Sequence, residues 1–408
     1  MHLIIRKSTI EYLWFLFLPT ITIISQFLQI GPIRISWLLY IAVSWLVIRK
    51  TGEEVLCKPL FLLTSIIILY PPISYLWSQN RIFEGNLYVS LITGAIYTAY
   101  IYMLTENSID SFLDGCFFSC VLFSLWGLYE ALTGHYILFQ NGLFVYRINP
   151  FGYHYPGVAF PNTNDLAQYI AILSPVVSVY EWNKHSNIIH SVIIGLFICN
   201  TFVIYQCFSH LGMIAMLLSY CIILFNTMRS RRLRYSFLIL LTAIGVIVII
   251  LAYRTKLISN IFLNLLLVRR NNVHFTGRQM IYSRLLRQAL DHPFGGFGNA
   301  YAVENPHNFF LYLLCDFGML GGLLMIILFV SLGIRIFAYR RTGIHNGIYL
   351  GLWSSLITFP LTSSISSGNE QRKIIWIFIG LCMYFIYRIT DTGQDDINRD
   401  KSLDRKIP

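Results

Sequence analysis

Runs of about 17 to 25 mostly apolar residues recur along nearly the whole chain, and runs of that length suit a bilayer. The hydrocarbon layer is about 30 Å thick and holds no water to satisfy backbone N–H and C=O groups, so the chain must cross it as helices. The runs fall at about 10–30, 33–49, 59–77, 87–104, 111–132, 164–181, 187–205, 208–227, 235–253, 308–334, 346–364 and 373–389. Composition agrees. Of 408 residues 56% are hydrophobic and 12% charged, with a mean hydropathy of +0.62, whereas soluble domains carry about a quarter charged residues. A β-barrel would need alternating segments, and 237–251 does not alternate. The expected fold is all-α: one polytopic transmembrane helix bundle over 1–408, of about twelve spans.

The first run follows Arg6 and Lys7, is too long for a signal-peptide core and has no small-residue cleavage site after it, so it reads as an uncleaved span. Connections on that same side collect Arg49, Lys50, Lys58, Lys184, Arg229, Arg231, Arg232, Arg234, Arg335, Arg340, Arg341 and the tail from Arg388. This positive-inside bias puts both termini in the cytoplasm. The eight cysteines (57, 116, 120, 199, 207, 221, 315, 382) lie mostly within spans and show no CxxC or metal spacing. They read as small buried apolar side chains.

Two outer connections are long. The first, 133–163, carries Arg147, His154 and a segment from Tyr155 to Asp165 rich in Pro, Gly and Asn. The second, 254–307, holds Arg254, Lys256, Arg269, Arg270, Arg278, Arg284 and Arg287 against only Asp291 and Glu304. Positive charge there opposes the orientation bias; long loops tolerate it, but a basic concavity for an anionic substrate is the better use of so one-sided a loop.

Within this loop, Lys256, Asn260 and Asn264 recur among Leu, Ile and Phe, which suits an amphipathic helix lying in the interface. Thr276 to Gln279 fits a capping box, so a second helix should run from about Gly277 to Leu290. On it Ile281, Tyr282, Leu285 and Ala289 share one face, while Arg284 and Arg287 project from the other. Arg278 lies in the first turn, where free N–H groups and the helix dipole already favour an anion. A diphosphate against Arg278 and Arg287 is the ligand this arrangement suits, because guanidinium binds phosphate oxygens in pairs and stays charged. The Gly295-Gly296-Phe297-Gly298 stretch follows no strand and lacks a third glycine in register, so it reads as a tight turn returning the chain to the membrane. His307 and Asn308 then open the next span, and a neutral imidazole there can take a proton from a sugar hydroxyl.

These residues resemble the O-antigen polymerase and O-antigen ligase superfamily. The resemblance is carried by Thr276-Gly277-Arg278 with Tyr282, by the run from His292 to Gly298, by Pro306-His307-Asn308 continuing to Leu311, and by Asp316 to Gly321. Arg287 to Gly298 and His307 to Gly318 repeat the family's Arg-x10-Gly and His-x10-Gly patterns. A weaker match runs from Gly157 to Ala167. The resemblance implies a GT-C-like glycosyltransferase of the bacterial inner membrane, inverting, with no metal and no cofactor. Its partners would be an undecaprenyl-diphosphate-linked glycan donor, a glycan acceptor, the bilayer and a chain-length regulator, with no nucleic acid.

His307 would activate the acceptor; Arg278, Arg284 and Arg287 would bind the diphosphate, with Asn308 beside them. Where many members carry Ser-Arg this chain has Ser209-His210, so His210 would be a weaker, titratable ligand, and Arg147 would compensate. Arg147 stands one residue short of the ten-residue spacing to Gly157. Polymerase is the preferred expectation, ligase the alternative. A transporter or flippase fits less well, because the acidic residues Asp110, Asp114, Glu130, Asp165 and Glu181 sit near span ends and not at mid-membrane.

Overall fold

The computed structural model describes residues 7–25, 29–30, 33–50, 58–78, 85–136, 154–158, 160, 162–184, 187–227, 284–287, 289–296, 308–339, 346–364 and 373–387. Apart from an antiparallel pairing of Gln29–Ile30 with Ile33–Arg34, the described chain is helical. The helices are α1 Lys7–Ser25, α2 Ile35–Lys50, α3 Pro59–Ser74, α4 Gly85–Tyr102, α5 Glu106–Thr133, α6 Thr163–Lys184, α7 Asn187–Gln206, α8 His210–Thr227, α9 Phe309–Tyr339, α10 Asn346–Thr362 and α11 Lys373–Tyr387.

Every expected apolar run except 235–253, which lies outside the described residues, coincides with one of these helices. Among the described residues, five stretches are long and apolar enough to cross a membrane: Pro59–Trp77, Glu106–Thr133, Asn187–Gln206, His210–Thr227 and Phe309–Tyr339. Stripes such as Leu62, Ile66, Leu69 and Ile73 on α3, or Leu323, Ile327, Val330 and Ile334 on α9, are exposed at helical spacing. Outward apolar stripes on several helices are what a lipid solvent requires, and this is a multi-pass membrane protein.

Two helices have almost no lipid-facing side. α11 is buried from Lys373 to Tyr387, with Trp376 lying over Gly94 of α4 and Thr98 Oγ1 donating to the Trp376 carbonyl at 3.2 Å. α6 is buried over most of its length and is surrounded by α5, α7, α8 and α10. Burial among protein explains why α6 tolerates Thr163, Asp165 and Gln168, residues a lipid-exposed helix would exclude.

Hydrogen bonds tie this interior together. Ser124 of α5 donates to Asn200 of α7, whose Nδ2 reaches Ser174 of α6 at 2.8 Å; Ser174 and Ser178 then meet the Tyr220 hydroxyl of α8 at 2.9 and 2.8 Å. In a medium where hydrophobic association of helices vanishes, such contacts together with close packing hold neighbours in register.

Helix ends gather at one pole of the bundle. The Phe309 amide at the start of α9 donates to the Ser363 carbonyl just past α10 at 3.0 Å, and Gln168 Nε2 in the second turn of α6 donates to the Thr362 carbonyl at 3.0 Å. Thr163 Oγ1 reaches the Cys207 carbonyl between α7 and α8 at 3.4 Å. At the opposite pole Lys184 of α6 pairs with Asp114 of α5 at 2.8 Å.

Candidate functional site

Of the candidate site residues, Arg284, Arg287, His210 and Asn308 lie among the described residues; His307, Arg278 and Arg147 lie outside them, as does the segment about Lys256. Residues 284–287 and 289–291 are helical, within the helix expected from the capping box. The face expected to be apolar is the buried one: Leu285 and Ala289 are covered while Arg284 and Arg287 are exposed. Arg287 is exposed on the side of this helix away from Leu285 and Ala289.

This short helix is seated on α9. Leu285 and Cys315 form a buried cluster that Leu311 packs against, and the Cys315 thiol donates to the Leu285 carbonyl at 3.4 Å. After it, the turn from His292 to Gly296 closes with the Gly296 amide donating to the His292 carbonyl at 2.8 Å and Gly296 at φ 62. The turn expected at Gly295 to Gly298 lies half outside the described residues; the described turn at 292–296 has a further role. It plugs a break in α9 at Gly318, whose φ 73 and ψ −179 lie in a region essentially reserved for glycine. The break frees the Leu320 amide, which donates to the Pro293 carbonyl at 3.3 Å. A Cβ on Gly318 would stand 2.5 Å from that same carbonyl oxygen, and one on Gly296 would stand 2.5 Å from the Gly318 nitrogen. The Tyr70 hydroxyl of α3 donates to the Phe294 carbonyl, fastening the turn from its other side.

Asn308 caps α9: its Oδ1 accepts from the Leu311 amide at 2.9 Å, and its Nδ2 donates to Ser364 Oγ at 2.9 Å. Both polar ends of the side chain are thus engaged in holding the start of α9 against the end of α10. Since Leu285 clusters with Cys315 of α9, the arginine-bearing helix and Asn308 are placed on adjoining elements.

His210 opens α8, is exposed, and rests against Phe208 with ring centroids 4.9 Å apart. Phe208 has φ 58, unusual for a bulky residue, and Ser209 is buried with its hydroxyl unpartnered among the described residues. Separate bonds at this pole join Asn308 to Ser364, Gln168 to the Thr362 carbonyl and Thr163 to the Cys207 carbonyl.

Sequence reasoning missed one anchor. Glu130, fully buried at the end of α5, accepts from the amides of Gly157 and Val158 at 2.8 and 2.6 Å, holding Val158 at φ 58. The Tyr136 hydroxyl donates to the Tyr155 carbonyl at 2.7 Å, and burial, with the Glu130 carboxylate adding to it, pushes that phenol up to about 12. An acid at a span end reads as interfacial; only the Tyr155–Val158 turn hinted that its partner would be backbone.

Residues 195–326 match a family model described as O-antigen ligase, which supports the O-antigen polymerase and ligase superfamily for this chain. The match supports polymerase or ligase activity in general and does not distinguish the two. It encloses Arg284, Arg287, the 292–296 turn, Asn308 and Gly318. No curated protein matches the chain. A chain in a solved structure titled "Structural coordination of polymerization and crosslinking by a peptidoglycan synthase complex" is 14% identical with a TM-score of 0.46, covering 81% of this chain and 97% of that one; so low a likeness carries no argument.

Proposed function

We propose, from a superfamily domain at residues 195–326 in a multi-pass membrane protein, that this chain is an O-antigen polymerase. It joins undecaprenyl-diphosphate-linked oligosaccharide repeat units on the periplasmic face of the bacterial inner membrane. In this reading the chain spans the membrane about twelve times with both termini cytoplasmic, and 254–307 is the periplasmic loop that carries the site. The observation that carries the reading is the docking of the Arg284 and Arg287 helix onto α9, the helix that begins two residues after His307.

Arg278, Arg284 and Arg287 grip the donor's diphosphate through charge-assisted, paired hydrogen bonds. His307 takes the proton of an acceptor hydroxyl as its oxygen bonds to the donor's anomeric carbon. The bond from that carbon to the diphosphate breaks on the opposite side, inverting the centre, and the leaving electron pair goes to a diphosphate whose charge the arginines already balance. Fixed cations do here what a metal does elsewhere. His210 and Arg147 flank the donor, and a chain-length regulator is the expected protein partner.

Ligase is the second reading, because the family match supports it as much as polymerase. It shares the donor and the chemistry and differs in taking lipid A core as acceptor. The lipopolysaccharide ladder of a strain lacking this chain separates the two. One repeat on the core marks a lost polymerase, bare core with lipid-linked polymer marks a lost ligase, and an unchanged ladder overturns both.

A further inference from the structure

We infer that Ser364, just past the end of α10, is a positioning residue for the transfer, acting through Asn308 on the residue that precedes it. The inference rests on the role proposed for His307. An N-cap residue leaves the helical path, and its backbone is set by the bond its side chain makes to the first turn. Asn308 makes that bond with Oδ1, to the Leu311 amide at 2.9 Å, which leaves Nδ2 to choose the neighbouring element that the side chain grips. Ser364 fixes that choice: its Oγ accepts from Nδ2 at 2.9 Å and donates to the Pro360 carbonyl at 2.8 Å. The serine is itself fixed, its amide donating to the Leu361 carbonyl at 3.1 Å.

A second bond makes the junction two-pointed. The Phe309 amide donates to the Ser363 carbonyl at 3.0 Å, so the positive end of α9 meets the negative end of α10. The cap bond to Leu311 and the bond to Ser364 hold the Asn308 side chain at both polar ends, and the second ties it to α10 at the residue joined by one peptide bond to His307. A misplacement of about 1 Å at a catalytic base costs on the order of a hundredfold, so a single hydroxyl at this remove can govern turnover while touching no substrate.

The test uses the full-length protein in membranes, with lipid-linked oligosaccharide extracted from a strain lacking the chain as both donor and acceptor. Ser364→Ala should lower turnover about tenfold while the apparent KM changes less than about twofold, the pattern of a lost transition-state alignment. Ser364→Thr keeps the hydroxyl and should restore turnover. Asn308→Ser keeps the cap but is too short to reach Ser364; it should match Ser364→Ala, and the double variant should be no worse than either, because the two residues act as one unit. Ser364→Ala with wild-type turnover, a rise in KM in place of a fall in turnover, or additive losses in the double variant would overturn the inference. A wild-type protein that makes no product from this material overturns the proposed function itself.

Discussion

The Pro293 carbonyl accepts the amide of Leu320 at 3.3 Å, a bond that exists because α9 abandons its helical path at Gly318. A turn in the loop before α9 and a glycine inside it are thereby one structural unit. The unit holds the arginine-bearing helix to the half of α9 that begins at Asn308. The glycine that ends the His-x10-Gly spacing thus has a physical role here, as the receptor for that turn.

Gly318→Ala should therefore be far more harmful than alanine at a glycine in a lipid-facing helix. The new methyl would impose a backbone region costing about 1–3 kcal/mol and would press on the Pro293 carbonyl. Thermal unfolding of the detergent-solubilised protein should show the loss. Gly333→Ala, where no atom lies within 4 Å of the added carbon, should leave the midpoint nearly unchanged.

If Arg287 holds the diphosphate as proposed, Arg287→Ala should reduce product about a hundredfold or more, with the protein still in the membrane, because a cation stabilising developing charge is lost. Arg340→Ala, on the side assigned to the cytoplasm, should leave activity close to wild type. Quantifying ladder products against membrane protein compares the two; equal effects would contradict the account.

Glu130→Ala should cost roughly 3 kcal/mol, since two buried charge-assisted bonds to the Gly157 and Val158 amides are lost together. Glu130→Gln retains an acceptor oxygen and should lose less. Limited proteolysis between Tyr136 and His154 should become faster in the alanine variant, and unchanged cleavage would contradict the anchoring role.

Much of this architecture was legible in the chain itself. The 3.6-residue period correctly put Leu285 and Ala289 on the inner face and Arg284 and Arg287 on the outer, because burial on a short helix follows apolar spacing directly. The break in α9 was not legible, because a glycine within an apolar run is ordinary in a membrane helix; what makes Gly318 special is a turn remote from it in sequence. Nor could apolar runs reveal which helices meet lipid. α11 and α6 are enclosed by protein, and enclosure depends on neighbours that hydropathy does not identify. The resemblance places Asn308 beside the diphosphate arginines; its capping of α9 and its bond to Ser364, in a serine-rich stretch, had no sequence signal.

The central claim is that an imidazole at position 307 readies the acceptor while nearby arginines hold the lipid diphosphate. A single-turnover assay of His307→Ala in membranes, supplied with the native lipid-linked oligosaccharide, tests it most directly. The account predicts that the variant still retains the lipid-linked donor and forms no elongated product. Elongation at a rate near that of the wild type would contradict it.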